Sequence, residues 1–240
     1  MMTTIPAYYQ EPYRTELDAI VIAVDGEWVV LDRTLFYPEG GGQPGDSGMF
    51  ITADGRELAV LDTRKGETPG TIRHRLVDAG HGLQPGDTLR QRLDWERRHR
   101  HMRMHTCLHL LCSLVPFGVT GGALSADKGR LDFDLGEDGT PPDKEELTER
   151  LNALIEAGYA VTTEWLEEAV LDSNPELVRT MSVQPPRGHG AIRMVRVEGV
   201  DFQPCGGTHV ANTREIGRVL VSKIESKGKR NRRIVLAFAE

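Results

Sequence analysis

The sequence predicts an α+β protein in two parts, a β-barrel-like N-terminal domain over residues 1–92 and a domain of strands and helices over 93–240. Three observations carry this. Short β-branched runs separated by turn signals recur between residues 15 and 93, the spacing of a small barrel. One long helical pattern follows at 94–114. After it, alternating strand patterns are interleaved with a second amphipathic helix.

In chain order, 19–24 and 28–31 are apolar runs joined by Asp25-Gly26, a hairpin signal. A glycine-rich stretch follows, from Phe36 through Gly40-Gly41-Gly42-Gln43 to Gly48. Further strands are expected at 48–51, 57–62, 71–76 and 88–93, punctuated by Asp54-Gly55, Pro69-Gly70 and Pro85-Gly86-Asp87. Asp94 suits an N-cap, with Glu96 in the first turn, and Met104, Leu108, Leu111 and Val115 form the buried stripe of the helix. Residues 116–142 read as strand and turn, with alternation at 130–135. A second helix runs from Asp143 to about Ala157, stopped by Gly158 and buried through Leu147, Leu151, Leu154 and Ile155. Then come a strand at 160–165, a helix at 166–179 broken by Pro175, and strands at 192–197, 216–221 and 233–238.

At 39% hydrophobic and 27% charged, the 240 residues describe an ordinary globular chain long enough to bury a core. No run reaches the 18 apolar residues of a membrane span, and the first 14 residues lack the apolar centre of a signal peptide, so the expected location is the cytoplasm with no membrane association. Three cysteines suggest no disulfide framework, and Cys107 and Cys112 read as core residues. A net charge of −7 argues against a generic nucleic-acid binder. Yet 223–233 carries six basic residues against one acid, and 90–103 carries six against two. Such runs are either solvated faces or a surface for RNA phosphate.

Two short stretches carry chemistry. In His105-Thr106-Cys107-Leu108-His109 the imidazoles stand four apart, on one face of a helix. In Cys205-Gly206-Gly207-Thr208-His209 a glycine turn can fold the thiol toward the imidazole. One such pair alone is weak, because histidines are often buried for packing. Two pairs form a borderline-soft donor set that suits a single Zn²⁺. Their separation excludes a zinc finger, and Thr106 stands where a metalloprotease HExxH needs Glu. His101, one turn before His105, is a rival ligand, and His99 a weaker one. The glycine-rich stretch is no phosphate loop, since no Gly-Lys-Ser/Thr follows; its backbone must either approach something closely, such as a neighbouring strand, or take positive φ.

His-Thr-x-x-His followed by Cys-Gly-Gly-Thr-His-Val resembles the editing domain of alanyl-tRNA synthetases and the free-standing alanyl-tRNA editing proteins known as AlaX. Phe36-Tyr37-Pro38-Glu39-Gly40-Gly41-Gly42-Gln43-Pro44-Gly45-Asp46-Ser47-Gly48 resembles the glycine-rich motif of the medium-length AlaX form, and the resemblance runs from about residue 15 to the C-terminus. It implies a barrel-like N-terminal domain and an editing domain with a mostly antiparallel sheet. It also implies a zinc held by His105, His109, Cys205 and His209, and hydrolysis of tRNA(Ala) carrying the wrong amino acid, chiefly Ser and secondarily Gly, with no obligate protein partner. Thr106 and Thr208 would donate hydrogen bonds to the substrate, or else cap local backbone. Gly40, Gly41, Gly42 and Gln43, with Thr34 nearby, would select the amino acid. Lys227, Lys229, Arg230, Arg232 and Arg233 would hold the acceptor stem. The sequence departs from the synthetase pattern at Gly122, Ala123 and Ser125, where those domains carry a Gln. A full set of four protein ligands resembles structural zinc, whereas catalytic zinc keeps a position open. Alternative readings are a zinc-stabilised tRNA-binding module without chemistry, editing of threonyl-tRNA errors, and a hydrolase of small esters.

Overall fold

A computed structural model describes residues 3–137, 139–174, 177, 178, 181 and 190–239. The chain divides into two compact units, 1–99 and 100–240. The division falls after His99, inside a helix, and the expected boundary at 92/93 lies where that helix is about to begin.

In the first unit, β1 (Ile5–Pro6), β2 (Glu16–Asp25), β3 (Trp28–Leu31), β4 (Arg33–Thr34), β5 (Gly48–Thr52), β6 (Glu57–Lys65), β7 (Ile72–Leu76) and β8 (Thr88–Leu93) follow one another. Six of them close an antiparallel barrel in the order β2-β3-β7-β6-β5-β8, and β8 pairs back with β2. Period-2 patterning fills it. Leu17, Ala19 and Val21 of β2 and Leu89 and Leu93 of β8 point inward, with Leu31, Leu35, Phe36, Phe50 and Leu76. The interior also holds a polar knot. The Thr34 hydroxyl lies 2.8 Å from His74 Nε2 and 2.9 Å from Gln91 Oε1, and His74 Nδ1 donates to the Val29 carbonyl at 3.0 Å. Burial pushes the His74 imidazole down to about 4, so it is neutral at physiological pH.

The second unit is built on α1 (Trp95–Leu114), which starts in the first. Asp94 caps it, accepting from the Arg97 amide at 3.2 Å. The hairpin of β9 (Gly118–Leu124) and β10 (Lys128–Asp134) comes next, then α2 (Lys144–Ala157). Asp143 caps α2 by accepting from Glu146 N–H, and Gly158 ends it in the left-handed conformation. Then come β11 (Val161–Glu167), α3 (Glu168–Ser173), β12 (Ala191–Val197), β13 (Asp201–Pro204), β14 (Val219–Ser226) and β15 (Asn231–Phe238). They form two antiparallel sheets, β14-β15-β10-β9 and β11-β12-β13. A Cβ at Gly129 of β10 would come within 2.9 Å of Met104 Sδ and 3.2 Å of Leu108, so glycine there lets α1 lie close on the sheet. The edge strand β14 is covered by α2: Asn152 donates to the Val219 carbonyl and accepts from its N–H, and Thr148 Oγ1 accepts from Val221 N–H.

Two of the differences from the expected element boundaries have a clear physical cause. Of the helix expected over 166–179, the described residues show Glu168–Ser173; it starts at Glu168 because β11 continues to Glu167 in register with β12, and Pro175, Glu176 and Arg179 lie outside the described residues. The strand expected over 216–221 begins at Val219, because Asn212 and Glu215 form a reciprocal cap that sets Thr213–Ile216 as a 3-10 turn.

Candidate metal centre

α1 delivers His105 and His109 from consecutive turns, and the turn after β13 delivers Cys205 and His209. One ligand atom from each lies within 4.8 Å of the others. Cys205 Sγ is 3.5 Å from His105 Nε2 and 3.3 Å from His209 Nε2. A tetrahedral zinc with Zn–N of about 2.0–2.1 Å and Zn–S of about 2.3 Å needs ligand separations of roughly 3.3–3.7 Å. The donor set fits that ion in chemistry, and the two separations from Cys205 Sγ match its size. The three imidazoles are buried and Cys205 is partly exposed.

Three of the four side chains are held from behind. Thr106 Oγ1 donates to the Met102 carbonyl at 2.9 Å, so it accepts from His209 Nδ1–H at 3.1 Å and from Val210 N–H at 3.3 Å. That leaves His209 Nε2 for the cluster. His109 Nδ1 lies 3.0 Å from Asp201 Oδ2. Gly207 N–H points at Cys205 Sγ at 3.4 Å. The buried Arg193 of β12 donates to the carbonyls of Cys205 and Gly207 at 2.7 and 2.9 Å, fixing the glycine turn.

The electrostatics follow from that packing. Burial works against the Cys205 thiolate, but His105 and His209 outweigh it and hold the thiol well below its usual range. Burial and the neighbouring His105 depress His209. Burial also opposes charge on His109, yet the Asp201 hydrogen bond and the Cys205 thiolate raise it to about 10.

The other expected residues are distributed as follows. His101 is buried outside the cluster, because eight residues along a helix rotate it about 80° from His109. His99 stacks on Trp95. Cys107 is buried, its thiol pushed up to about 12, and Cys112 is buried as well. Thr208 is 1% exposed. Thr34, Gly40, Gly41, Gly42 and Gln43 belong to the first unit. There Gly40 and Gln43 exchange backbone hydrogen bonds across a tight turn, and the side chains of Gln43 and Thr34 are buried. The Asp46 carboxylate ties the stretch down, accepting from Tyr37 N–H and from the buried Arg98 guanidinium.

The basic C-terminal run forms the β14–β15 hairpin, and much of its charge is already matched. Arg233 is bidentate to Asp132 at 2.7 and 2.8 Å, and Arg230 to Asp134 at 3.1 and 3.0 Å. Lys227 faces Glu225 at 3.6 Å. Arg232 donates to backbone carbonyls, and among the described residues no ion pair engages it or Lys229.

Sequence reading passed over Asp201, Gln203 and Arg193. A signal was available for the first two, since Asp201, Gln203 and Cys205 alternate along β13 and its continuation and share one face.

Three buried imidazoles and a partly exposed thiol, brought together from segments a hundred residues apart on a chain with a barrel in one unit and two antiparallel sheets in the other, define a class: an α+β protein with a His/Cys group able to hold a metal ion. Comparison with known proteins narrows that class to a family. Residues 192–235 match the threonyl and alanyl tRNA synthetase second additional domain, and 7–97 match class II (A) tRNA synthetases. The chain is 36% identical to the alanyl-tRNA editing protein AlaX-M of Methanosarcina acetivorans, over 97% of this chain and 98% of that one. It is 34% identical to the AlaX-M of Saccharolobus solfataricus over 95% of each. It is also 35% identical to the alanine–tRNA ligase of Thermococcus kodakarensis, where 97% of this chain covers 25% of that longer protein. The chain belongs to the alanyl-tRNA editing protein family of the AlaX-M type.

Proposed function

We propose that the chain is a cytoplasmic trans-editing hydrolase that deacylates tRNA(Ala) carrying the wrong amino acid, chiefly Ser and secondarily Gly, at one zinc held by His105, His109, Cys205 and His209. The observation that carries this is the convergence of those four side chains in a member of the alanyl-tRNA editing family. When bound, zinc polarises a carbonyl and lowers the pKa of water. Water attacks the ester carbonyl, the bond to the ribose oxygen breaks, and the amino acid leaves with its carboxylate while the tRNA regains its terminal hydroxyl.

The chain's own groups prepare the site. Thr106 serves through His209, since its hydroxyl is committed to the Met102 carbonyl and to the ring. Arg193 holds the Cys205–Gly207 turn in the shape that presents the thiolate. Thr208, in the second motif, would hydrogen-bond the substrate. The turn at Gly40, Gly41, Gly42 and Gln43 sorts the amino acid, and Thr34 supports its approach by accepting from Phe36 N–H. A site that bonds the serine hydroxyl separates Ser from Ala far better than size does. Lys229 and Arg232, with the paired Lys227, Arg230 and Arg233 around them, meet acceptor-stem phosphate.

The four-ligand set also favours a second reading, a zinc-stabilised tRNA-binding module without chemistry. Deacylation of Ser-, Gly- and Ala-charged tRNA(Ala), with and without chelation, separates the two. The expected result is chelator-sensitive release of Ser, slower release of Gly and sparing of Ala. Cys205→Ala is expected to lose its zinc and, with it, activity by more than about 100-fold, beyond the loss usual for outer-sphere partners. Binding of every charged tRNA without release would leave the module reading.

A further inference from the structure

The strand that leads into the cysteine turn carries a carboxylate that the proposed chemistry does not use. Asp201 and His109 are 4% and 7% exposed in their side chains, and Asp201 Oδ2 lies 3.0 Å from His109 Nδ1. The carboxylate is itself fixed, because Gln203 Nε2 donates to the same oxygen at 2.8 Å; that amide nitrogen also lies 3.1 Å from His109 Nδ1, but it only donates, so the carboxylate is the partner able to accept the Nδ1 proton. Gln203 is buried too. Asp201, Gln203 and Cys205 share one face of β13 and its continuation, so one extended segment delivers both a ligand from Cys205 and a brace for a ligand on another element.

An imidazole has two nitrogens and, without a brace, two tautomers and two ring orientations. At His209 the Thr106 hydroxyl resolves that choice. At His109 the corresponding partner is an ionisable acid at hydrogen-bond distance in a dry site, a stronger acceptor than a hydroxyl. We infer that Asp201 is a positioning residue for the metal: it accepts the Nδ1 proton of His109, holds the ring so that Nε2 faces Cys205 and His209, and makes that nitrogen a better donor to a divalent ion of the zinc type. This rests on the four-ligand metal reading above. It predicts that the Asp201 carboxylate acts on the metal only through His109.

The test measures zinc affinity by chelator competition on the whole chain, for the wild type, Asp201→Ala, Asp201→Asn, His109→Ala and the Asp201→Ala/His109→Ala pair. Asp201→Ala is expected to weaken zinc by about 10–100-fold. Asp201→Asn keeps the shape but offers only a neutral acceptor, so it is expected to retain a loss of about three- to tenfold, and it covers the case in which the alanine variant does not fold. With His109 already replaced, removing Asp201 is expected to change affinity by less than about twofold, since non-additivity marks residues acting as one unit. Wild-type affinity in both Asp201 variants would overturn the inference, as would an equal loss with and without His109. A wild-type chain that takes up no zinc would remove the metal reading itself, and that outcome is distinct from zinc-loaded variants that match the wild type.

Discussion

His74 shows how one residue's surroundings set its chemistry. Its ring touches Phe36 and Phe50 edge-on at 5.5 and 5.2 Å, its Nδ1 is spent on the Val29 carbonyl, and it is fully buried. Burial therefore holds it near 4 when folded, against about 6.5 in an unfolded chain. Because the folded value is the lower one, the unfolded chain binds the extra proton. The stability His74 contributes is complete above pH 6.5 and is lost as pH falls from 6.5 toward 4. Between pH 7.5 and 5 that loss is about 2 kcal/mol. Urea midpoints at the two pH values should show it, and His74→Gln, which cannot titrate, should flatten the difference. An unchanged slope in that variant would assign the acid sensitivity elsewhere.

Among elements, the glycine-rich stretch shows how structural and recognition roles can sit side by side. A Cβ at Gly45 would collide with the Thr63 carbonyl, and Arg97 donates to the Gly45 carbonyl at 2.7 Å. Gly40 differs: its φ is not left-handed, and a Cβ there would meet Tyr37 Oη at an ordinary 3.5 Å. Gly45→Ala is therefore expected to destabilise the barrel by about 1–3 kcal/mol, because backbone cannot yield as a side chain can. Gly40→Ala should leave the melting temperature within a degree or so and alter only the ratio of Ser to Ala release. If both variants melted alike, the stretch would have a single role. The sequence showed that this backbone must approach something closely, but not that Gly45 meets a strand while Gly40 does not. Nor did it show Asn152 of α2 closing the edge of β14, because that pairing spans 67 residues and leaves no local pattern.

Across the whole molecule, what was legible had a short period or a fixed motif. Alternation and turn residues outlined the barrel strands, helical spacing outlined α1 and α2, and two four-residue spacings located the His/Cys cluster. Long-range pairing was not legible, and it changes the meaning of charge. Along the chain, 223–233 counts six cations against one acid. In the sheet, Asp132 stands directly across from Arg233, and Asp134 reaches Arg230. Lys223 and Lys227 share Glu225, and among the described residues the hairpin cations outside any ion pair narrow to Lys229 and Arg232. Phosphate binding releases about 0.7–0.9 counterion per contact, so each real contact contributes nearly one to the slope of log affinity against log salt. Lys229→Gln and Arg232→Gln should each lower the tRNA(Ala) slope by about 1 and weaken binding alike for every attached amino acid. Arg230→Gln and Arg233→Gln should mainly lower the melting temperature, because each strips a bidentate partner from a carboxylate on β10. A slope that falls equally for all four would mean that the two aspartates release their arginines to the RNA, and that the basic run binds as the single surface its sequence suggests.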